Sequence, residues 1–121
     1  MSPLSSSPSP EVAALRTAAE AIVAQIRRDA REQARLIRSG AAGELTEADV
    51  ERMAKDLAAA ARVQLDAAVQ HCQNPSALPE LQRTRREAAQ LMAAATRQAA
   101  AELGKARQAM HDKAAGRRWR R

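Results

Sequence analysis

The sequence has almost no aromatic residues. Among its 121 residues there is no Phe and no Tyr, and the only Trp is Trp119. Alanine supplies most of the apolar fraction instead, with 31 residues. Alanine favours the helix but removes little apolar surface from water when it is buried. We therefore expect a thin hydrophobic core that depends on tight helix packing or on a partner.

Cysteine is equally scarce, because Cys72 is the only one. It cannot form an internal disulfide, and no metal-ligand spacing surrounds it. The sequence also lacks any run of the roughly 20 apolar residues that span a membrane, and its N-terminus lacks the charged and apolar regions of a secretory signal. These absences predict a cytoplasmic protein.

Motifs for catalysis are missing as well. The sequence contains no Gly-rich phosphate loop and no G-x-S-x-G elbow. His71 and Cys72 are adjacent, but neighbours on a helix point about 100° apart, which disfavours a Cys–His nucleophile pair. His111 stands alone. We expect no enzymatic activity, no catalytic residue, no cofactor and no metal site.

The apolar residues that are present recur at helical spacings in three segments. The first helix is expected from about Pro10 to Ser39, with Ser9 as N-cap and Gly40 and Gly43 at its end. Its apolar stripe recurs every three or four residues and comprises Val12, Leu15, Ala19, Ile22, Ile26, Ala30, Ala34 and Ile37.

The second helix has the clearest start signal. Thr46 can cap the first turn, Asp49 stands where a capping-box acid belongs, and Leu45 and Val50 occupy the positions of a hydrophobic staple. The predicted apolar face ends near Cys72 and comprises Val50, Met53, Leu57, Ala61, Leu65, Ala68 and Val69.

Asn74-Pro75 predicts a break before the third helix. That helix is expected to open at Ser76 or Leu78-Pro79 and to reach about Ala115, where Gly116 can terminate it. Its pattern is the weakest of the three, because many alanines separate its larger apolar residues, which are Leu78, Leu81, Leu91, Met92, Leu103 and Met110.

The sequence therefore predicts an all-α protein, either an antiparallel three-helix bundle or an elongated helical hairpin or coiled coil. Residues 1–9 are expected to form a disordered Ser/Pro-rich tail, residues 10–115 the three-helix domain, and residues 116–121 a basic tail.

Charge is abundant and mostly of one kind. The net charge is +6, and 17 of the 20 basic residues are Arg. Residues 83–121 carry a balance of +8 and residues 11–40 a balance of +2, whereas residues 44–72 carry −3. Arginine pairs bidentately with phosphate, so nucleic acid is the first expected partner and an anionic membrane surface the second. The alternative is a GC-rich genome, whose codons favour Ala and Arg without a structural reason.

Two groups of arginines are candidate RNA contacts. Arg27, Arg31, Arg35 and Arg38 follow helical spacing on the first helix, with Arg28 beside them, and could track a phosphate backbone. The alternative is a solvated face on which Arg28 pairs with Glu32. The second group flanks Trp119, whose ring could stack on a base, and comprises Arg117, Arg118, Arg120 and Arg121. The alternative for this group is a disordered end that keeps the protein soluble.

Two motifs in the first two helices resemble the ribosome recycling factor family. Residues 26–30, Ile-Arg-Arg-Asp-Ala, are similar to the arginine-rich stretch on one of that family's long helices. Residues 44–49, Glu-Leu-Thr-Glu-Ala-Asp, are similar to the acidic turn that opens its next helix. The motifs occur in the family's order, with about two extra residues between them that fall in the loop at 39–43. The resemblance covers roughly residues 13–70.

The resemblance implies a three-helix domain that lies against ribosomal RNA and works with elongation factor G to split ribosomes after termination. It also implies that Arg27 faces the RNA, with Arg28 and Arg31 as secondary contacts. The chain departs from the family in three respects. Ala24 stands where the family usually has an arginine, the family's first helix and inserted β-rich domain do not precede the match, and residues 77–121 have no counterpart in the usual order.

A second function remains open on the same residues. The thin core and the weak third helix favour a self-associating helical interaction or scaffold protein without catalytic activity. The sequence does not fix the oligomeric state.

Overall fold

A computed structural model of the chain describes residues 9–72 and 78–119, with side chains as far as residue 116. Three helices make up the fold: α1 spans Pro10–Ser39, α2 spans Glu47–Gln70 and α3 spans Leu78–Trp119. All three pack together, and α1 contacts α3 most extensively. The predicted all-α class and three-helix bundle are confirmed. The expected disorder of residues 1–8 and the break at Asn74-Pro75 lie outside the described residues.

Helices that follow one another in the chain run antiparallel. The Cys72 sulfur lies 3.8 Å from the carbonyl oxygen of Glu11, so the end of α2 meets the start of α1. On the other side, Arg107 Nε donates to the carbonyl oxygen of Leu45 at 3.1 Å, and Arg85 Nη2 lies 2.9 Å from Asp66 Oδ1. The start of α2 therefore meets the C-terminal half of α3, and α1 and α3 run parallel.

Side-chain and glycine caps fix the ends of α1 and the start of α2. The Ser9 hydroxyl accepts the Val12 amide at 3.2 Å, and Gly40 adopts φ +82° at the end of α1. Thr46 and Asp49 form the predicted capping box. The two bonds to the backbone amide and hydroxyl of Thr46 lower the pKa of the Asp49 carboxyl, because both favour its charged form.

The core of the bundle is built largely from small side chains. The predicted stripe of α1 is buried at every position, and α2 buries four of its predicted residues together with Ala54. Among the described residues, nine of the 20 buried apolar ones are alanine, and each alanine removes little apolar area from water. The expectation of a thin, alanine-rich core is confirmed.

In α3 the buried positions repeat every eleven residues. Leu81, Met92 and Leu103 form one such series, and Thr84, Ala95 and Ala106 form another. Eleven residues fill three helical turns at about 3.67 residues per turn, so the buried face stays in line without the left-handed coiling of a heptad repeat. This keeps the 42-residue helix against its neighbours over most of its length.

Two predictions for α3 were wrong. Leu78 and Leu91, assigned to the apolar face, are 52% and 56% exposed. The helix also continues through Gly116 to Trp119, so the helix end predicted near Ala115 was wrong. A helical glycine costs only about 1 kcal/mol relative to alanine, and Gly116 does not adopt the positive φ that ends α1 at Gly40.

No helix among the described residues is long and apolar enough to cross a lipid bilayer.

Candidate nucleic-acid interface

The arginines on α1 project from the helix face opposite to or beside its buried stripe. We call Arg27, Arg28, Arg31, Arg35 and Arg38 the α1 arginine stripe; all five are exposed. Because buried residues such as Ile26, Ala30 and Ala34 hold the other face of α1 against the bundle, the stripe is carried on a fixed support. At 1.5 Å per residue, Arg27 and Arg38 stand about 16 Å apart along the helix.

Two members of the stripe are engaged by neighbours on the same helix. Arg35 forms a bidentate ion pair with Glu32, in which Nε donates to Oε2 at 3.1 Å and Nη2 donates to Oε1 at 2.6 Å. This fork lowers the pKa of the Glu32 carboxyl and raises that of Arg35, because each charge stabilises the other. The exposed pair contributes little to folding, but it partly neutralises Arg35 as a phosphate ligand.

Arg28 is also occupied, though by a different partner from the predicted one. Its Nη2 donates to Gln25 Oε1 at 2.7 Å, and Gln25 Nε2 donates in turn to Asp29 Oδ1 at 2.7 Å. The predicted pairing of Arg28 with Glu32 was wrong, because Arg35 already holds both oxygens of that carboxylate.

The other three stripe arginines have no acidic partner among the described residues. Arg27, Arg31 and Arg38 take part in none of the ion pairs of that part of the chain. Arg31 follows Arg27 by one helical turn and precedes Arg38 by two, so all three side chains project from the same side of α1. This subset is the part of the stripe that is best able to bind an external anion.

The second group of predicted contacts is only partly described. Positions 117 and 118 belong to the last turns of α3, which extends the basic C-terminal segment as a helix rather than as a loose tail. Arg120 and Arg121 lie outside the described residues. The side chains of Arg117 and Arg118 also lie outside the described part of the chain.

His71 and Cys72 occupy a cleft of about 370 Å³ between the end of α2 and the start of α1, together with Glu11. The thiol donates to the carbonyl oxygens of Ala68 and Glu11 at 3.5 and 3.8 Å, and His71 is exposed. No hydrogen bond joins the imidazole to the thiol among the described residues, and no group of three potential metal ligands occurs there.

Sequence reasoning missed two clefts that lie between α2 and α3, here together called the α2–α3 groove. Arg62, Asp66, Arg85 and Arg97 surround the first cleft, of about 670 Å³, and Glu47, Glu51 and Arg107 lie beside Gly104 at the second. These residues are far apart in sequence and meet only through antiparallel packing. The overall charge of each segment was visible in the sequence, but this arrangement was not.

An array of exposed arginines on a rigid helix can bind phosphates through charge-assisted, bidentate hydrogen bonds, and it offers no group for bond-breaking chemistry. Comparisons of the chain with protein-family models, curated proteins and solved structures found no match.

Proposed function

We propose that this chain is a cytoplasmic, ribosome-associated protein that binds ribosomal RNA through the α1 arginine stripe. The observation that carries the proposal is the placement of Arg27, Arg31 and Arg38, which are exposed on one side of α1 and have no acidic partner among the described residues. Such arginines need no rearrangement to engage phosphates, so binding does not first break internal ion pairs.

The resemblance of residues 26–30 and 44–49 to the recycling-factor motifs supports ribosomal RNA as the nucleic acid. In the family, the arginine-rich helix faces the RNA, and the position of Arg27 in the unpaired subset agrees with that role. Translation termination and recycling, with elongation factor G as a further partner, follow from the same resemblance. The hydrogen bonds of Arg28 and Arg35 to their own helix make these two residues secondary contacts in the proposal.

The test is cosedimentation with ribosomes over a range of salt concentrations. We expect wild-type binding to weaken steeply with salt, and Arg27→Glu combined with Arg31→Glu to weaken it further. Each lost phosphate contact should reduce the magnitude of the slope of log affinity against log salt by roughly one.

The matched control is Arg83→Glu combined with Arg86→Glu, two exposed residues near the start of α3. It changes the net charge by the same amount but leaves the stripe intact, so we expect a smaller loss of affinity. Equal losses in both variants would indicate attraction to net charge alone. Wild-type affinity and slope in the Arg27/Arg31 variant would show that the stripe is a solvated face.

A further inference from the structure

The two halves of the α2–α3 groove differ in their balance of charge. Arg62 and Arg97 line the first half with the Asp66–Arg85 ion pair, whereas Glu47 and Glu51 line the second together with Arg107, whose Nε donates to the carbonyl oxygen of Leu45. The contacts of Arg85 with Asp66 and of Arg107 with Leu45 fix the order of these residues along the groove. A polyanion such as RNA would be attracted to one half and repelled by the other.

Small residues line both halves of the groove beside the buried side chains of Leu65, Met92 and Val50. Ala58, Ala89 and Ala93 lie in the basic half, and Ala48 and Gly104 lie in the acidic half. A Cβ added at Gly104 would meet no heavy atom within 4 Å, so nothing in the described part of this chain requires a glycine there. Mid-helix glycine lowers helix stability, whereas small residues at a helix surface permit close approach of another helix.

We propose that the α2–α3 groove is the contact surface between two copies of this chain, related by a two-fold axis. In such a dimer the same patch faces itself in reverse, so the basic half of one copy lies on the acidic half of the other. An axis that crosses α3 between Arg97 and Ala100 places Ala93 opposite Gly104 of the second copy. It also brings Arg97 toward Glu51 and Arg62 toward Glu47 of the second copy.

The size of the surface suits this role. From Arg85 to Gln108, α3 runs for about 35 Å at the helical rise, and the two helices together present a strip about 20 Å wide. That strip is on the order of 700 Å², close to the roughly 800 Å² per partner of a standard specific interface. The α1 arginine stripe is not part of the groove, so the dimer leaves the proposed RNA-binding face accessible.

The experiment is sedimentation equilibrium from micromolar to millimolar concentration. We expect a species of twice the 13.0 kDa chain mass to form as concentration rises. Gly104→Leu should fold at least as well as the wild type, because leucine is a better helix former and has open space there. It should nevertheless weaken the dimer by roughly tenfold or more, because the two-fold axis places the added side chain in the interface twice. Gly116→Leu is the control, because it makes the same change in the same helix outside the groove and should leave the dimer intact.

A charge exchange tests the register. Glu51→Arg and Arg97→Glu should each weaken the dimer, and the two changes in one chain should restore it. A wild type that stays monomeric throughout, a dimer unaffected by Gly104→Leu, or a double variant that does no better than the singles would overturn the proposal. The Arg27/Arg31 variant should still dimerise, so loss of RNA binding and loss of the dimer are separable results.

Discussion

Thr46 and Asp49 satisfy each other's backbone amides at the start of α2. The Asp49 amide donates to the Thr46 hydroxyl at 3.1 Å, and the Thr46 amide donates to Asp49 Oδ2 at 2.9 Å. These two donors have no partner within the helix, so the side chains replace bonds that water would otherwise supply. Asp49 also lies 3.6 Å from Arg52. Its negative charge is favourable at this position, because the N-terminal end of the helix dipole is positive.

We expect Thr46→Ala to lower the free energy of unfolding by about 1 kcal/mol, because it removes the N-cap acceptor. Urea denaturation followed by circular dichroism measures the change. Thr17→Ala, an exposed change in the middle of α1, serves as the control and should not destabilise the protein. An unchanged midpoint for Thr46→Ala would mean that the box contributes nothing to stability.

The start signal of α2 was readable from the sequence, because Leu45, Thr46, Asp49 and Val50 all lie within five residues of one another. The hydrogen-bond partner of Arg28 was not predictable from the sequence, although Gln25 lies only three residues away on the same helix. Glu32 lies within reach of both Arg28 and Arg35, and spacing alone does not decide between them. The fork geometry of Arg35 at i,i+3 takes both carboxylate oxygens and leaves Arg28 to Gln25.

Gly40 closes α1 with a hydrogen-bonding pattern that requires a left-handed residue. Its amide donates to the carbonyl oxygen of Ile37 at 3.1 Å, and the Ala41 amide donates to that of Leu36 at 3.1 Å. Together these bonds form a Schellman motif, which satisfies carbonyls left open at the helix end. The motif turns the chain toward α2 beside Met110 of α3.

We expect Gly40→Ala to destabilise the fold by about 1 kcal/mol, because a side chain is strained at φ +82°. A Cβ at this position would lie 3.8 Å from Met110 Cε, an ordinary contact, so the loss should come from the backbone. Thermal or urea unfolding provides the measurement. Gly116→Ala, at a helical glycine, should be neutral or stabilising, and an equal loss in both variants would contradict this account.

Helices α1 and α2 were predictable because large apolar residues mark their buried faces. In α3 the buried positions keep regular spacing, but several hold Thr84, Ala88, Ala95 or Ala99, which contrast weakly with exposed alanines. Exposed Leu91 then suggests the wrong face. Only packing against two other helices distinguishes a buried alanine from a solvent-facing one, and the α2–α3 groove was hidden for the same reason.

At the scale of the whole molecule, the two proposed surfaces belong to different helices. The α1 arginine stripe is carried by the first helix, whereas the groove belongs to the second and third. Residues 78–119 supply the third helix of the bundle. The described residues include no β-strand.

We expect this chain to bind ribosomes without completing recycling by itself. In the recycling-factor family, on which the proposed function draws, elongation factor G acts with a hinged second domain, and a ligand drives a change only through states to which it binds differently. The chain should therefore compete with a full-length recycling factor. A ribosome-splitting assay with elongation factor G and GTP measures this, and robust subunit separation by the chain alone would contradict it.

The alanine-rich core also sets how stability responds to temperature. The heat-capacity change of unfolding comes mainly from apolar surface that becomes hydrated, and it averages about 12–15 cal/mol/K per residue in globular proteins. Because nine of the 20 buried apolar residues in the described part of the chain are alanine, unfolding of this bundle exposes less such surface, and its heat-capacity change should fall below that range. Its free energy of unfolding should accordingly follow a flatter curve, which changes less between cold and warm conditions and moves cold denaturation to lower temperature.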